Sequence, residues 1–261
     1  MRFCVNVSIL FTEAPLLERF RLAREAGFRA VELWWPRGED PAAVAAAVAD
    51  AGVEVVLLNF DAGDMAAGDR GLVSDPARRD AFRANVPIAL GLASEVGCRM
   101  LNALAGHALD GMEREAQLEL ARDNVGFAAD AAAEQGADVL IEAINTRENG
   151  PYLLPTTRQA SAFARSVGRE NVRLQYDAYH MQRMEGDLTA TIERHLGEIA
   201  HVQVADSPGR GRPGTGEINY DYVFRRLEEL GYRGRVGLEY QAPGGETEAS
   251  LAWLPREARG H

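Results

Sequence analysis

The sequence predicts an α/β fold, a single (β/α)8 TIM barrel over residues 1–261 with a short polar C-terminal tail. Three observations carry this. Eight short β-rich runs alternate with helical patterns, the arrangement that gives a parallel sheet with crossover helices. The 261 residues match the size of an eight-unit barrel. The first strand is followed by VSILFTEAP, which has no glycine, whereas a doubly wound open sheet is expected to carry a phosphate-binding glycine loop there. No linker, low-complexity tract or composition shift divides the chain.

The strands are expected at RFCVN (2–6), AVELWW (30–35), EVVLLNF (54–60), RMLNAL (99–104), DVLIEAI (138–144), VRLQYD (172–177), AHVQVAD (200–206) and RVGLEY (235–240). After the first strand, APLLERFRLAREAGF sets Leu16, Phe20 and Ala23 on one stripe. PAAVAAAVADAG begins with Pro and ends with Gly, a start-and-stop signature. PARRDAFRANVPIALGLASEVG is a helix interrupted by Pro87, and REAQLELARDNVGFAADAAAEQG is long and alanine-rich. TTRQASAFARSVG, DLTATIERHLG and DYVFRRLEELG complete the set, with Asp187 as the expected cap of the second of these.

Composition narrows the function. A net charge of −11 and a pI near 5.0 argue against a nucleic-acid partner, which calls for a basic face. No run approaches the eighteen apolar residues of a spanning helix, so no membrane partner is expected. Cys4 and Cys98 make no disulfide framework, which suits a reducing cytoplasm. The N-terminal segment reads as a strand and loop without a cleavage-like site, and the sequon at Asn6 as chance. Homo-oligomerisation is left open.

In a barrel of this kind the active site lies at the C-terminal strand ends. Asn6, Glu32, Asn59, Asn102, Glu142, Asp177, Gln203 and Glu239 fall at or near them. The last four are separated by 35, 26 and 36 residues, each about one βα unit. Parity agrees, because turning Glu142 inward sends Val139, Ile141 and Ala143 outward. The same holds for Gln203 between Val202 and Val204, and for Glu239 between Leu238 and Tyr240. Any one of these residues could serve only a hydrogen bond in the barrel mouth. Three carboxylates together repel unless a cation intervenes, and an all-oxygen set favours Mg²⁺ or Mn²⁺ over Zn²⁺.

The chain resembles the hydroxypyruvate isomerase family, within the xylose-isomerase-like barrels, over nearly its whole length. AGDMAAGDRG (62–71), LIEAIN (140–145), QYDAYHMQRMEGDL (175–188) and HVQVADSPGRGRPGTGEINYDYVF (201–224) carry the resemblance. It implies that Glu142, Asp177, Gln203 and Glu239 hold the metal and that Glu142 and Glu239 are also the acid–base pair. The implied reaction interconverts hydroxypyruvate and tartronate semialdehyde through a metal-stabilised enediolate. A 2-oxo-tetronate isomerase or a ketose 3-epimerase is the alternative. Related epimerases usually carry His where this chain has Gln203. An endonuclease IV-like phosphodiesterase is more distant, since that type needs several His ligands and none of the five His here falls at a ligand position.

Around this set, His180 reads as a hydrogen-bond donor to the developing charge or as a brace for Asp177. Arg210, in a glycine-rich loop, and Arg70, in a candidate lid with Gly63, Gly68 and Gly71, are alternatives for a substrate carboxylate, or else solvent-facing cations. Asn6, Asn59 and Asn102 are further substrate-binding candidates. The G-x-G-x-x-G from Gly209 to Gly214 does not open a helix, so a dinucleotide reading fails. Trp34 and Trp35 are expected to split, one toward the pocket and one into the core. His107 is placed near the site, His195 at a helix end and His201 in the barrel interior. The expected substrate is a small oxo-acid or ketose.

Overall fold

The computed structural model describes residues 1–260. Eight parallel strands close into a barrel in sequence order: β1 (Arg2–Asn6), β2 (Ala30–Leu33), β3 (Glu54–Asn59), β4 (Met100–Asn102), β5 (Asp138–Glu142), β6 (Val172–Asp177), β7 (Ile199–Val204) and β8 (Arg235–Leu238), with β8 paired to β1. The expected strands all form, and several end earlier than their apolar runs. Trp34 and Trp35 lie beyond β2, and Glu239 lies one residue past β8, where its amide still donates to the Val204 carbonyl at 3.1 Å.

Helices surround the barrel: α1 (Leu16–Glu25), α2 (Pro41–Ala51), α3 (Arg79–Glu95), α4 (Arg114–Ala133), α5 (Thr146–Asn149), α6 (Thr157–Val167), α7 (Ala178–Met184), α8 (Leu188–His195), α9 (Tyr220–Glu229), α10 (Thr247–Ser250) and α11 (Arg256–Arg259). Their ends follow local chemistry. Asp40 accepts the Ala42 amide with Pro41 at the first turn of α2, and Gly52 closes it at φ 64°. Thr156 and Asn219 cap α6 and α9 in the same way. Two expectations change. Helix α3 runs through Pro87, because Phe82, Val86, Ala89, Leu90 and Ala93 bury one face on both sides of it while the proline is exposed. Asp187 precedes α8 but makes no capping bond, since its own backbone is left-handed at φ 47°.

The outer strand faces and the inner helix faces form one apolar core. The barrel lumen is polar. Glu32 on β2 bonds across it to His201 and Gln203 on β7, and Asn6 on β1 bonds to Glu32 and Glu239. After β8 the chain continues through α10 and α11, and the buried Arg259 guanidinium donates to the carbonyls of Ala26, Leu251 and Leu254.

The loop after β3 lies against the β4 loop, and Gly71 makes this approach possible. At φ 124° a Cβ there would fall 2.0 Å from the Leu104 carbonyl oxygen, closer than any side chain tolerates. Gly71→Ala should therefore destabilise the fold by about 1–3 kcal/mol, the scale of enforced backbone strain. Urea unfolding measures this, and an unchanged midpoint would contradict the packing described.

Candidate active site

The C-terminal mouth of the barrel opens into a cavity of about 410 Å³ whose lining includes Trp34, Asn59, Arg70, Glu142, His180, Arg210 and Glu239. Asp177 and Gln203 lie just under this surface, both about 1 % exposed. Asp177 ends β6 and caps α7, its Oδ1 accepting the amides of Tyr179 at 2.7 Å and His180 at 3.3 Å. The cap fixes the carboxylate, and its second oxygen, Oδ2, has no hydrogen-bond partner although fully buried. An orphaned carboxylate oxygen is costly unless something cationic or hydrogen-bonding meets it.

Glu142 ends β5 and accepts from Asn102 Nδ2 at 2.7 Å. Burial, then the charges of Glu239 and Asp177, push its carboxyl well above the usual range. Glu239 accepts from Asn6 Nδ2 and Trp34 Nε1, both at 2.8 Å, and pairs through Oε2 with the Arg210 guanidinium. Burial raises it to about 7 against the pull of Arg210. Asn6 and Asn102 thus hold the two glutamates by hydrogen bonds, whereas Asn59 reaches the cavity wall.

His180 is oriented by a residue outside the expected set. Asn145 caps α5 by accepting the Glu148 amide through Oδ1, which turns its Nδ2 onto His180 Nδ1 at 2.7 Å. The imidazole must accept at Nδ1, so its proton sits on Nε2, 3.7 Å from Asp177 Oδ2 and 4.0 Å from Glu142 Oε1. Burial, then Arg210, hold its pKa well below the ordinary imidazole value. A neutral ring with its N–H toward the carboxylates suits a donor better than a metal ligand.

The two arginines differ. Arg210, at φ 51° in the β7–α9 loop, lies over the Tyr179 ring and on Glu239. Its loop is pinned by Asp206, whose carboxylate accepts five backbone amides. Arg70 is held by Asn149 Oδ1 through Nε, and by the Met65 and Asp69 carbonyls through Nη1. Trp34 turns to the pocket and Trp35 packs on the core, as the split predicted. His107 instead bonds the Asn149 carbonyl and does not line the cavity. His195 ends α8 and His201 lies in the lumen. Tyr179, Asn145 and Asn149 are additions to the expected set, because they sit on or cap α5 and α7, short helices without an amphipathic repeat long enough to read.

The donors at the mouth fit a divalent cation. Glu142 and Asp177 bring carboxylate oxygens within 4.8 Å of each other, with the His180 N–H beside them. Asp177 Oδ2 is unpartnered. Burial raises all three carboxyls, with neighbouring carboxylate charge adding to it for Glu142 and Glu239, a cost that a cation would relieve.

A closed eight-stranded barrel with buried acids and a neutral imidazole at its C-terminal mouth defines a (β/α)8 protein with its candidate site at the strand ends. The chain belongs to the xylose isomerase-like TIM barrel family, whose model matches residues 20–257. It is 41% identical to the hydroxypyruvate isomerase of Escherichia coli (strain K12) over 97% of this chain and 98% of the relative. It is 39% identical to a 2-oxo-tetronate isomerase of Cupriavidus necator, covering 97% of each. A crystal structure described as an AP endonuclease, family 2, from Brucella melitensis superposes with a TM-score of 0.92 at 44% identity, covering 97% of each chain.

Burial of these acids makes a testable link to pH. In metal-free protein, Glu142 and Glu239 have folded pKa values above their unfolded ones, so the folded state holds more protons between about pH 4.5 and 7 and stability falls as pH rises. Thermal melts in chelator should show Tm dropping from pH 5 to 8, with a smaller drop for Glu239→Gln and a flatter profile when Mn²⁺ is added. A Tm profile identical with and without Mn²⁺ would contradict a cation site among these acids.

Proposed function

We propose that the chain is an aldose–ketose type isomerase that interconverts hydroxypyruvate and tartronate semialdehyde, using Mg²⁺ or Mn²⁺ held by Glu142, Asp177, Gln203 and Glu239. The observation that carries the reading is the pair of buried glutamates, Glu142 and Glu239, lining one cavity from β5 and from just beyond β8. The similarity to hydroxypyruvate isomerases over the full chain supports it. The similarity to 2-oxo-tetronate isomerases makes four-carbon oxo-acids the next class.

A bound divalent cation would supply positive charge to the substrate's carbonyl and hydroxyl oxygens and draw the surrounding carboxylates toward their ionised forms. One glutamate then removes the proton from C3 of hydroxypyruvate and a carboxyl group returns a proton to C2, while the hydroxyl hydrogen passes from O3 to O2. A base of this kind is most effective when its pKa lies near the working pH. The Nε2–H of His180 is available to the oxygen on which negative charge develops. Trp34, besides donating to Glu239, walls the cavity on the β2 side. Arg70 receives the substrate carboxylate: it lines the cavity and its three bonds occupy only Nε and Nη1, whereas Arg210 is committed to Glu239. A cytoplasmic setting suits the two unpaired cysteines, and no helix among the described residues is long and apolar enough to cross a membrane.

Chelation should abolish conversion of hydroxypyruvate, and Mg²⁺ or Mn²⁺ should restore it. Cleavage of abasic DNA in place of isomerisation would overturn the reading in favour of the activity in the Brucella protein's description. Glu142→Gln and Glu239→Gln should each cut kcat by about 10²–10⁴-fold, the usual scale for a lost general base, while Mn²⁺ still binds by calorimetry. Near-normal turnover in either variant would remove that residue from proton transfer. Arg70→Met should lower kcat/KM by about 10–100-fold, equivalent to one charge-assisted hydrogen bond, mostly through KM. An effect confined to kcat would exclude Arg70 as the carboxylate anchor.

A further inference from the structure

One carboxylate of the lumen has no part in the reaction above. Glu32 is fully buried on β2, below the mouth. Its Oε1 accepts from Gln203 Nε2 at 2.6 Å and from Asn6 Nδ2 at 3.3 Å. Its Oε2 lies 2.6 Å from His201 Nε2 and 3.7 Å from Cys4 Sγ. Space for it is built into β8, two strands away around the barrel: a Cβ on Gly237 would fall 2.3 Å from Oε2. The Cys4, Glu32 and His201 donors cluster tightly enough to suggest a metal, but the direct Glu32–His201 contact shows them satisfying one another.

The consequence falls on Gln203. Its amide has a donor end and an acceptor end of nearly equal shape. The nitrogen faces Glu32, and the oxygen accepts from Gln175 Nε2 at 2.5 Å. A half-turn of the amide would set two acceptors 2.6 Å apart and two donors 2.5 Å apart, losing both bonds at once. A carboxylate can only accept, so Glu32 settles which end is which. The amide oxygen keeps a second lone pair beyond the one given to Gln175. Glu32 also touches the other side of the site, because Asn6 bridges it to Glu239 Oε1.

We infer that Glu32 is a positioning residue for the cation site. It takes up the nitrogen of Gln203, so that the amide oxygen, with one lone pair left beyond the bond from Gln175, is the end available to a cation, and through Asn6 it holds the Glu239 carboxylate. The inference rests on the reading of Gln203 as a metal ligand. Partners that orient a ligand from behind contribute about 10–100-fold to metal affinity.

The test is Mn²⁺ titration by calorimetry on the full chain, with circular dichroism and thermal melts in chelator as the check on folding. Glu32→Gln keeps the shape but gives residue 32 an end that can donate, which frees the Gln203 amide to turn. Mn²⁺ should bind about 10–100-fold more weakly. Adding Gln203→Glu to Glu32→Gln restores a single donor–acceptor pair with its polarity reversed, and Mn²⁺ affinity should return to within about threefold of the unaltered chain or exceed it. Wild-type affinity in folded Glu32→Gln would overturn the inference. If that variant does not fold, the double variant decides: binding about 10-fold or more below the unaltered chain would also overturn it. Gln203→Ala separates the two layers of argument, because unchanged Mn²⁺ binding there would remove Gln203 from the ligand set and the inference with it, whereas weakened binding there with wild-type binding in Glu32→Gln would sink only the role of Glu32.

Discussion

Like charges crowded out of water are the constraint on which this barrel turns. Glu142, Asp177 and Glu239 share its mouth, with Glu32 one layer below. Burying even one carboxylate costs several kcal/mol before its partners are counted. The surrounding structure offsets this piecemeal. Asn102 donates to Glu142, Asn6 and Trp34 donate to Glu239, the start of α7 serves Asp177, and His201 and Gln203 serve Glu32. What remains unmet includes Asp177 Oδ2 and Asn102 Oδ1 at the mouth and, deeper in the lumen, Gln175 Oε1 and His201 Nδ1, all buried and without partners. The unpartnered Asp177 oxygen, beside two further buried acids, is the place where an occupant would relieve most.

The same constraint explains why the framework had to be closed. An open sheet would expose its edge strands and leave the ring of acids incomplete, whereas pairing β8 to β1 brings Asn6 within 2.8 Å of Glu239 from the far end of the chain. The apolar bulk that stabilises the fold lies outside the barrel, between strands and helices. The lumen is thereby free to be polar, and each acid can be held by groups from strands that are distant in sequence.

Much of this was legible because strand periodicity and chemistry agree. Alternation placed Glu142, Gln203 and Glu239 on the inner face, and their spacing by one βα unit placed them at one end. The end-on partners were not legible. Nothing in TRENG or AYHMQRM marks a helix, because α5 and α7 span four and seven residues, too short for a 3.6-residue period to repeat. Asn145 and Tyr179 therefore enter the site unannounced. The resemblance of DLTATIERHL to a capped helix held for the helix but not for the bond at Asp187, whose left-handed backbone turns the side chain from the helix amides. Arg210 was ambiguous for a related reason: its partner, Glu239, is 29 residues away, and only a loop pinned by Asp206 brings them together.

The arginines bear on the substrate class proposed for the mouth. Phosphate recognition usually recruits a helix N-terminus or a cluster of donors free to wrap a dianion. Here the N-terminus of α7 is already taken by the Asp177 side chain, and Arg210 is spent on Glu239. That leaves one guanidinium, Arg70, at the cavity wall beside a single compact cluster of cation donors. One carboxylate-sized anion placed next to two adjacent oxygens matches this supply of charge, which supports the oxo-acid substrate proposed above.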